Sequence, residues 1–430
     1  MKNAFDDVIG YEAIKQELIQ ICDMIRNREK YEALGATIPH GILIDGKPGY
    51  GKTLLSTCFI KEAGLKVFTV RKTKEHFAEE ITKVFDQAME NTPCIVFLDD
   101  MDKFSNADRY SSNTAEFVAV QSGIDACKNL DVLVIATANK LYYLPDSLYR
   151  NGRFDRKYKL CLPSPEDSEQ IIRHYLADKK IADEINMEDV MKLFAKKSCA
   201  EIEAILNDAA IRAAYTGHSE MGIDDIKEAY VRSYYNSPDY YVESNEKKSG
   251  LIALHEAGHV VVAELLNQGS VSIASICEKR SGDIGGFIRQ CKDNDDSKDD
   301  LLIGLASMAA VKAFATEDYA EGCGSDLKSV YLRLEEMIRT DGYKGIRGIY
   351  YEDIGERYGQ PPETYKTYLD QQVKEEMEHL SEAVKEMLVK HKRFVMSVAD
   401  ALKEKHTLLA SDVQELVRQY NGEQEQEEIA

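Results

Sequence analysis

The chain has 430 residues, of which 44% are hydrophobic and 30% charged, a composition typical of a soluble globular protein with two or three domains. Its formal net charge of −21 argues against binding to nucleic acid or to an anionic membrane, although solubility alone would also explain the charge. Nine cysteines without a CxxC pair disfavour a disulfide framework and a thiolate zinc site, and without an apolar run of about 18 residues we expect no membrane span and a cytoplasmic location.

Five segments are predicted along the chain. Up to residue 162, apolar β-type runs alternate with helical stretches, which is typical of an α/β module with a parallel sheet. The runs are Gly41–Asp45, Lys66–Val70, Cys94–Leu98 and 131–136. The patterns that follow predict a helical lid (163–235), a polar linker (236–249), a mainly α-helical domain (250–420) and a disordered acidic tail (421–430).

A phosphate-binding loop follows the first strand. Residues 46–53 have the spacing GxxxxGKT and lie between a strand and a helical stretch. Lys52 is predicted to contact the β- and γ-phosphates of ATP, and the Thr53 hydroxyl to hold Mg²⁺. A glycine-rich turn is the alternative. The predicted nucleotide-binding residues are Gly46, Lys47, Pro48, Gly49, Tyr50, Gly51, Lys52, Thr53, Leu54 and Asp99.

Polar side chains that could act on the nucleotide follow the next strands. Asp99 is placed to hold Mg²⁺, directly or through water, and Asp100 to orient the attacking water, unless the two acids only cap a helix. Asn139 ends the last of the predicted strands, where it could sense the γ-phosphate. Arg150 and Arg153 are spaced to reach one anion together, although surface salt bridges would also explain them.

The sequence HEAGH at residues 255–259 predicts a zinc site in the second half. On a helix, His255 and His259 lie one turn apart on the same face, and Glu256 could act as the general base. The spacing also occurs by chance on ordinary helices, but the flanks are apolar enough to bury this one. A zinc with one open position needs a third protein ligand. Because the remaining histidines of this half lie in long C-terminal helical stretches, an acidic ligand is favoured.

Several segments of the chain resemble FtsH-type AAA+ proteases, over about residues 5–419. The segments, besides the phosphate-binding loop, are 5–10, 27–39, 150–156 and 197–210. The resemblance implies a homohexamer that uses ATP, Mg²⁺ and Zn²⁺ to unfold and cleave polypeptides. It also implies that Asn139 is a nucleotide sensor and that Arg150 and Arg153 are arginine fingers acting on the ATP of a neighbouring subunit.

The resemblance also supplies a third zinc ligand. Asp326, in the segment GCGSDL, matches the family's aspartate that opens a helix and completes the metal site. Without the resemblance, a helix-capping acid would be the better interpretation of Asp326. Cys323 is a weaker rival as a ligand. Residues 281–290 could form an edge strand that receives substrate by β-addition, or an ordinary turn. In the family, an equivalent glycine-bearing strand lines the active site.

The ATPase half departs from the family pattern. The family ends the second acidic motif with Asp-Glu, whereas this chain has Asp99-Asp100, and the shorter acid is expected to hold the attacking water less well. The pore-loop region at 73–83 is short and lacks glycine, with Phe77 as the candidate gripping aromatic. The family's glycine-phenylalanine segment is not evident near Gly123, and its N-terminal membrane anchor is not seen in this chain.

These patterns lead to one main hypothesis and two alternatives. The main hypothesis is an ATP-dependent zinc metalloendopeptidase. The first alternative is a zinc peptidase with a weak or regulatory ATPase ring. The second is a nucleotide-dependent chaperone without proteolysis.

Overall fold

The computed structural model describes residues 3–72, 77–104, 115–148, 150, 152–280, 285–293, 297–315, 323–341, 343 and 363–429. The chain divides into two compact units. Unit 1 comprises Met1–Lys180 and Lys196–Asp208, and unit 2 comprises Ile181–Ala195 and Ala209–Ala430. The domain boundaries expected after residues 162, 235, 249 and 420 stay predictions.

Unit 1 is built on a parallel sheet. Its strands are β1 (Gly41–Asp45), β2 (Lys66–Val70), β3 (Cys94–Leu98), β4 (Val132–Ala138) and β5 (Arg156–Lys159). They pair in the order β2-β3-β4-β1-β5. The helices are α1 (Glu12–Arg26), α2 (Arg28–Glu32), α3 (Lys52–Ala63), α4 (Ala78–Met89), α5 (Ala115–Ala126) and α6 (Pro165–Leu176). The four predicted strands are confirmed, and β5 adds a fifth.

Apolar clusters cover both faces of this sheet. On β3, Val96 and Leu98 join a cluster with residues of α4 and α5. Ile95 and Phe97 join a second cluster with residues of α1 and α3. Since successive side chains of a strand point to opposite faces, the continuous apolar run of β3 fits a strand buried on both sides. The predicted α/β fold class is therefore confirmed.

The strand order brings the nucleotide motifs together. Strands β3, β4 and β1 are neighbours in the sheet and run in the same direction. The phosphate-binding loop follows β1, the acids Asp99 and Asp100 follow β3, and Asn139 follows β4. All three segments therefore lie at the carboxyl edge of one parallel sheet, which is where α/β folds bind ligands.

Unit 2 is mainly helical. Its helices are α7 (Met187–Leu193), part of α8 (Cys199–Thr216), α9 (Ile223–Tyr235), α10 (Glu246–Leu266), α11 (Ser297–Phe314), α12 (Gly324–Thr340), α13 (Glu363–Lys390), α14 (Lys392–Lys405) and α15 (Ala410–Ile429). A small sheet contains β6 (Tyr240–Tyr241), β7 (Val271–Lys279), β8 (Gly285–Gln290) and β9 (Thr407–Leu409). Strand β7 pairs antiparallel with the other three.

Helix α10 forms the core of unit 2. It packs against α11, α14 and β7, and most of its residues from 252 to 264 are buried. Among the described helices it is the one whose length and apolarity would allow it to cross a membrane, but 72% of its apolar window is buried inside the fold. The sequence analysis expected no segment of this kind. The burial is that of a core helix, because neighbouring elements cover its apolar surface.

The C-terminus differs from the expected disordered tail, since α15 continues to Ile429. Glutamate and glutamine have high helix propensity, and no proline interrupts the segment.

Candidate active sites

The phosphate-binding loop connects β1 to α3. Gly49 and Gly51 have φ values of 83° and 86°, in the left-handed region that favours glycine. Lys52 opens α3, and its Nζ donates to the main-chain oxygens of Gly46 (2.8 Å) and Lys47 (2.9 Å). Burial lowers the pKa of Lys52, while the surrounding carboxylates oppose that shift. The Lys52 ammonium group is therefore bound to the main chain of the loop that is predicted to hold the phosphates.

Asp99 and Thr53 lie together behind the loop. Asp99 Oδ1 accepts hydrogen bonds from Thr137 Oγ1 (2.9 Å) and Thr53 Oγ1 (3.3 Å). The other oxygen, Oδ2, lies 2.9 Å from Arg71 Nη2. A hydroxyl and a carboxylate are oxygen ligands of the kind that Mg²⁺ prefers, so the pair fits that ion. Sequence analysis missed Thr137 and Arg71, although both lie at the carboxyl ends of strands of the same sheet.

Asp100 is held by a cation and an amide. Its Oδ2 accepts from Lys103 Nζ (2.6 Å) and its Oδ1 from Asn139 Nδ2 (3.0 Å). Burial would raise the pKa of Asp100, but the hydrogen bonds from Lys103 and Asn139 lower it overall. The structure therefore brings the predicted water-orienting acid and the predicted sensor into contact, and adds Lys103, which sequence analysis missed.

Some of these residues line a cavity of about 960 Å³ in unit 1, large enough for a nucleotide, but Gly46, Lys47 and Asp99 are not among its described lining. The part of the loop that lines it is Pro48, Gly49, Gly51, Lys52, Thr53 and Leu54. Asp100, Lys103 and Asn139 line it as well. Tyr50 is instead buried, and its main-chain oxygen accepts a hydrogen bond from Tyr11 Oη (3.1 Å).

The two predicted arginine fingers lie elsewhere in unit 1. Arg153 forms an ion pair with Asp125 (Nη2–Oδ2, 2.7 Å) and donates to the main-chain oxygen of Ser147 (2.6 Å). The pKa of Asp125 is lowered to about 2, chiefly by its hydrogen bond with Arg153. Arg150 is exposed. Among the described residues that line the cavity, neither arginine is present.

The interpretation of Phe77 as a gripping aromatic is wrong. Its side chain is 1% exposed and packs edge-on against Phe104, with ring centroids 5.0 Å apart. The role was assigned from the position of Phe77 in the pore-loop region, but its packing in the core of unit 1 removes the side chain from solvent. The preceding residues of the predicted pore loop, 73–76, lie outside the described residues.

Three metal-binding atoms converge in unit 2. His255 and His259 lie on α10, and their Nε2 atoms are 3.1 and 3.3 Å from Oδ2 of Asp326, in the first turn of α12. All three atoms lie within 4.8 Å of one another. Ligands about 2.0–2.2 Å from a tetrahedral zinc lie about 3.4 Å apart, so the two nitrogens and one oxygen fit zinc. His259 Nδ1 donates to the main-chain oxygen of Ile303 (2.6 Å), which directs Nε2 toward the metal.

Cys323 lies on the other side of His255. Its Sγ is 3.7 Å from His255 Nδ1, the nitrogen that faces away from Asp326. It does not belong to the group of three ligand atoms. The geometry therefore does not favour the rival interpretation of Cys323 as a zinc ligand.

The charges of this group depend on the metal. Burial lowers the pKa of His255, but hydrogen bonds with Asp326 and Cys323 and the nearby carboxylates raise it overall to about 10. Burial raises the pKa of Asp326, but the hydrogen bonds from both histidines hold it well below its usual range. Without metal, His255 is therefore the imidazolium cation at neutral pH, with both ring nitrogens protonated. Binding of a metal ion to Nε2 requires the proton on that nitrogen to leave.

We expect zinc affinity to increase at least about tenfold per pH unit between pH 6 and 8, because each bound zinc displaces the His255 proton. Titrations against a chromophoric chelator at several pH values would measure the slope, after correction for the chelator's own protonation. His391→Gln removes a histidine of the same unit that bonds to Tyr420 Oη (2.7 Å) instead, and should leave the slope unchanged. A zinc affinity independent of pH would contradict the assigned proton.

Glu256 adjoins the three ligand atoms. It is 2% exposed, and its Oε1 lies 3.9 Å from His255 Nε2. Burial raises the pKa of Glu256 to about 7. Among the described residues, none forms a hydrogen bond with its buried Oε2. A carboxylate with a free oxygen and a pKa near neutrality is suited to accept a proton from water and to release it again.

A glycine makes room for this carboxylate. Gly286 has a φ of 79°, and a Cβ built on it would lie 2.5 Å from Glu256 Oε1. Gly285 and Gly286 open β8, which among the described strands pairs with β7 alone. The predicted edge strand is therefore confirmed and the alternative of a simple turn is wrong, while residues 281–284 lie outside the described part of the chain.

Comparisons with known proteins match the chain to AAA ATPases and to zinc metalloproteases. Residues 42–162 match the model of the ATPase family associated with various cellular activities (AAA). The ATP-dependent zinc metalloprotease FtsH 2 of Phytoplasma mali is 27% identical over 431 residues, which cover 96% of this chain and 62% of that protein. The ATP-dependent zinc metalloprotease FtsH of Caldicellulosiruptor bescii is 28% identical, covering 97% and 72%, and that of Chloroflexus aggregans 28%, covering 96% and 68%.

The chain thus spans between 62% and 72% of the length of these three relatives. The aligned part nevertheless extends over nearly all of this chain, through both the nucleotide cavity and the group of metal-binding atoms. With the AAA match in its first half and this similarity along its length, the chain is similar to FtsH-type proteins in both of its halves.

Proposed function

We propose that the chain is an ATP-dependent zinc metalloendopeptidase that unfolds and degrades polypeptides as a ring-shaped homohexamer in the cytoplasm. The observation that carries the proposal is the buried Glu256, with a free carboxylate oxygen, beside three atoms that fit a zinc ion. The names of the relatives support the same reaction.

In the peptidase reaction, His255, His259 and Asp326 would hold the zinc. When bound, zinc polarises the peptide carbonyl and acidifies the attacking water. Glu256 accepts a proton from that water at its free oxygen and then delivers it to the nitrogen of the leaving amine. The free edge of β8, which opens beside Glu256, would align an extended substrate by β-addition.

In the ATPase reaction, the phosphate-binding loop and Lys52 hold the phosphates, and Thr53 with Asp99 hold Mg²⁺. Asp100 orients the attacking water, and Asn139 senses the γ-phosphate through the carboxylate that it contacts.

Arg150 and Arg153 would act on the ATP of a neighbouring subunit. The proposal is supported by their absence from the described lining of their own cavity, and by the exposure of Arg150. Arg153 would first have to leave its ion pair with Asp125.

Digestion of casein, with and without ATP and with a metal chelator as control, tests this function. ATP-stimulated cleavage that the chelator abolishes is the expected result. Cleavage indifferent to ATP would indicate instead a zinc peptidase with a weak or regulatory ATPase. Nucleotide binding without any cleavage would contradict both peptidase functions.

Asp100→Glu is expected to increase the rate of ATP hydrolysis by up to about 100-fold. The additional methylene extends the carboxylate beyond Lys103 and Asn139, to which Asp100 is now bonded, toward the phosphate space. Phosphate release at saturating Mg²⁺-ATP measures the rate. The affinity for a fluorescent ATP analogue, measured in parallel, shows whether the cavity is intact. An unchanged rate with unchanged affinity would show that the shorter acid never limits hydrolysis.

A further inference from the structure

We propose that Cys323 is a positioning residue for the metal ligand His255. Its sulfur accepts the Nδ1–H of the imidazole and thereby keeps Nε2 directed at the metal. The inference rests on the proposed zinc site and adds a residue whose role in that site is separate from metal ligation.

Both nitrogens of His255 are held by the beginning of α12. Nδ1 lies 3.7 Å from Cys323 Sγ, and Nε2 lies 3.1 Å from Asp326 Oδ2. The two partners are three residues apart, at the N-cap and in the first turn of the helix. Since the two ring nitrogens point in different directions, the sulfur contacts the imidazole away from the metal position. Residues 323–326 therefore enclose the imidazole from two sides.

The sulfur is buried, and the backbone that carries it is anchored in the helix. Cys323 is 3% exposed, and its main-chain oxygen accepts a hydrogen bond from the nitrogen of Leu327 (3.0 Å) within the first turn. Among the described residues, Cys323 Sγ is the hydrogen-bond partner of His255 Nδ1. The backbone of Cys323 therefore cannot shift without disturbing the start of the helix that also carries Asp326.

The second histidine is held in the same way by a different group. His259 Nδ1 donates to the main-chain oxygen of Ile303 (2.6 Å), and its Nε2 faces Asp326 (3.3 Å). Metal-binding histidines generally donate their other N–H to such an outer acceptor, which sets the tautomer and the orientation of the ring. A main-chain oxygen serves His259, and a side-chain sulfur serves His255. The sulfur that serves His255 can therefore be removed by mutation, whereas the main-chain oxygen that serves His259 cannot.

The test measures zinc affinity in Cys323 variants by competition with a chromophoric chelator. Loss of an outer partner typically lowers metal affinity about 10- to 100-fold, and we expect a loss of this size in Cys323→Ala. Cys323→Ser keeps an acceptor atom and should retain most of the affinity. Cys291→Ala is the matched control, since Cys291 Sγ in the same unit donates to main-chain oxygens of Gly269 (3.4 Å) and Ser270 (3.2 Å) instead.

Equal losses in Cys323→Ala and Cys323→Ser would show that the sulfur only fills space, and would overturn the inference, as would an unchanged affinity in Cys323→Ala. Substitution of cobalt for zinc supplies a second readout. A sulfur-to-cobalt charge-transfer band that disappears in Cys323→Ala would make Cys323 a ligand and overturn its positioning role. If the wild-type chain bound no zinc, the proposed function itself would fail, and this inference with it. The other outcomes are measured on a chain that binds zinc and overturn only the role of Cys323.

Discussion

Replacing Glu256 by Gln is expected to reduce peptide-bond cleavage about 10²- to 10⁴-fold while zinc and ATP binding persist. The amide has nearly the same shape as the carboxylate, but it cannot accept the proton of the attacking water. Glu256 is 2% exposed and, among the described residues, its Oε2 has no hydrogen-bond partner, so the carboxylate is available to accept that proton. Casein digestion in the presence of ATP measures the effect, with zinc content and nucleotide affinity determined on the same preparation.

Glu264→Gln is the matched control. Glu264 is a second buried glutamate of α10, and its oxygens accept hydrogen bonds from the main-chain nitrogens of Gly269 (2.7 Å) and Val271 (2.9 Å). Its replacement should lower stability without changing turnover per bound zinc. Wild-type cleavage by Glu256→Gln would refute the assignment of Glu256 as the base, whatever the control shows.

Gly286→Ala is expected to decrease cleavage about 100-fold with zinc still bound, because a displacement of about 1 Å near the reacting atoms has this effect. The new Cβ would lie 2.5 Å from Glu256 Oε1 and 2.9 Å from its Cδ, so either the carboxylate or β8 must move. A φ of 79° adds backbone strain in any residue with a side chain. Cleavage of a fluorogenic peptide measures the turnover, and metal analysis confirms that zinc is retained.

The neighbouring glycine provides the control for this variant. A Cβ on Gly285 would meet the side chain of Glu278 at 3.6 Å, which is an ordinary contact. Gly285→Ala should therefore cleave at nearly the wild-type rate. If Gly286→Ala also kept that rate, the close approach of β8 to Glu256 would have no role in the reaction.

Local patterns were sufficient for several elements. Strands β1, β3 and β4 were predictable because each is a mainly apolar run that is buried throughout, as expected for strands covered on both faces. Strand β2 was predictable from its valines, phenylalanine and threonine, although it lies at the edge of the sheet and is mostly exposed. Strand β5 was missed because its residues, Arg156–Lys159, are mostly charged. The strand lies at the edge of the sheet and is mostly exposed, so it has no hydrophobic pattern that would mark it as a strand. The spacing of four between His255 and His259 predicted a shared face because one helical turn contains 3.6 residues.

The sequence by itself therefore determined the parallel sheet, the phosphate-binding loop and the pair of histidines, since each depends on neighbouring residues. Only the tertiary structure decided the burial of Phe77 and the contacts of Lys103 with Asp100, of Cys323 with His255 and of Gly286 with Glu256. Lys103 lies on the short helical turn after β3, while the other two contacts join segments 68 and 30 residues apart. The physical reason is that such contacts depend on how elements pack in three dimensions. The periodicity of one segment indicates which of its faces is buried, but not which residues of another segment pack against that face.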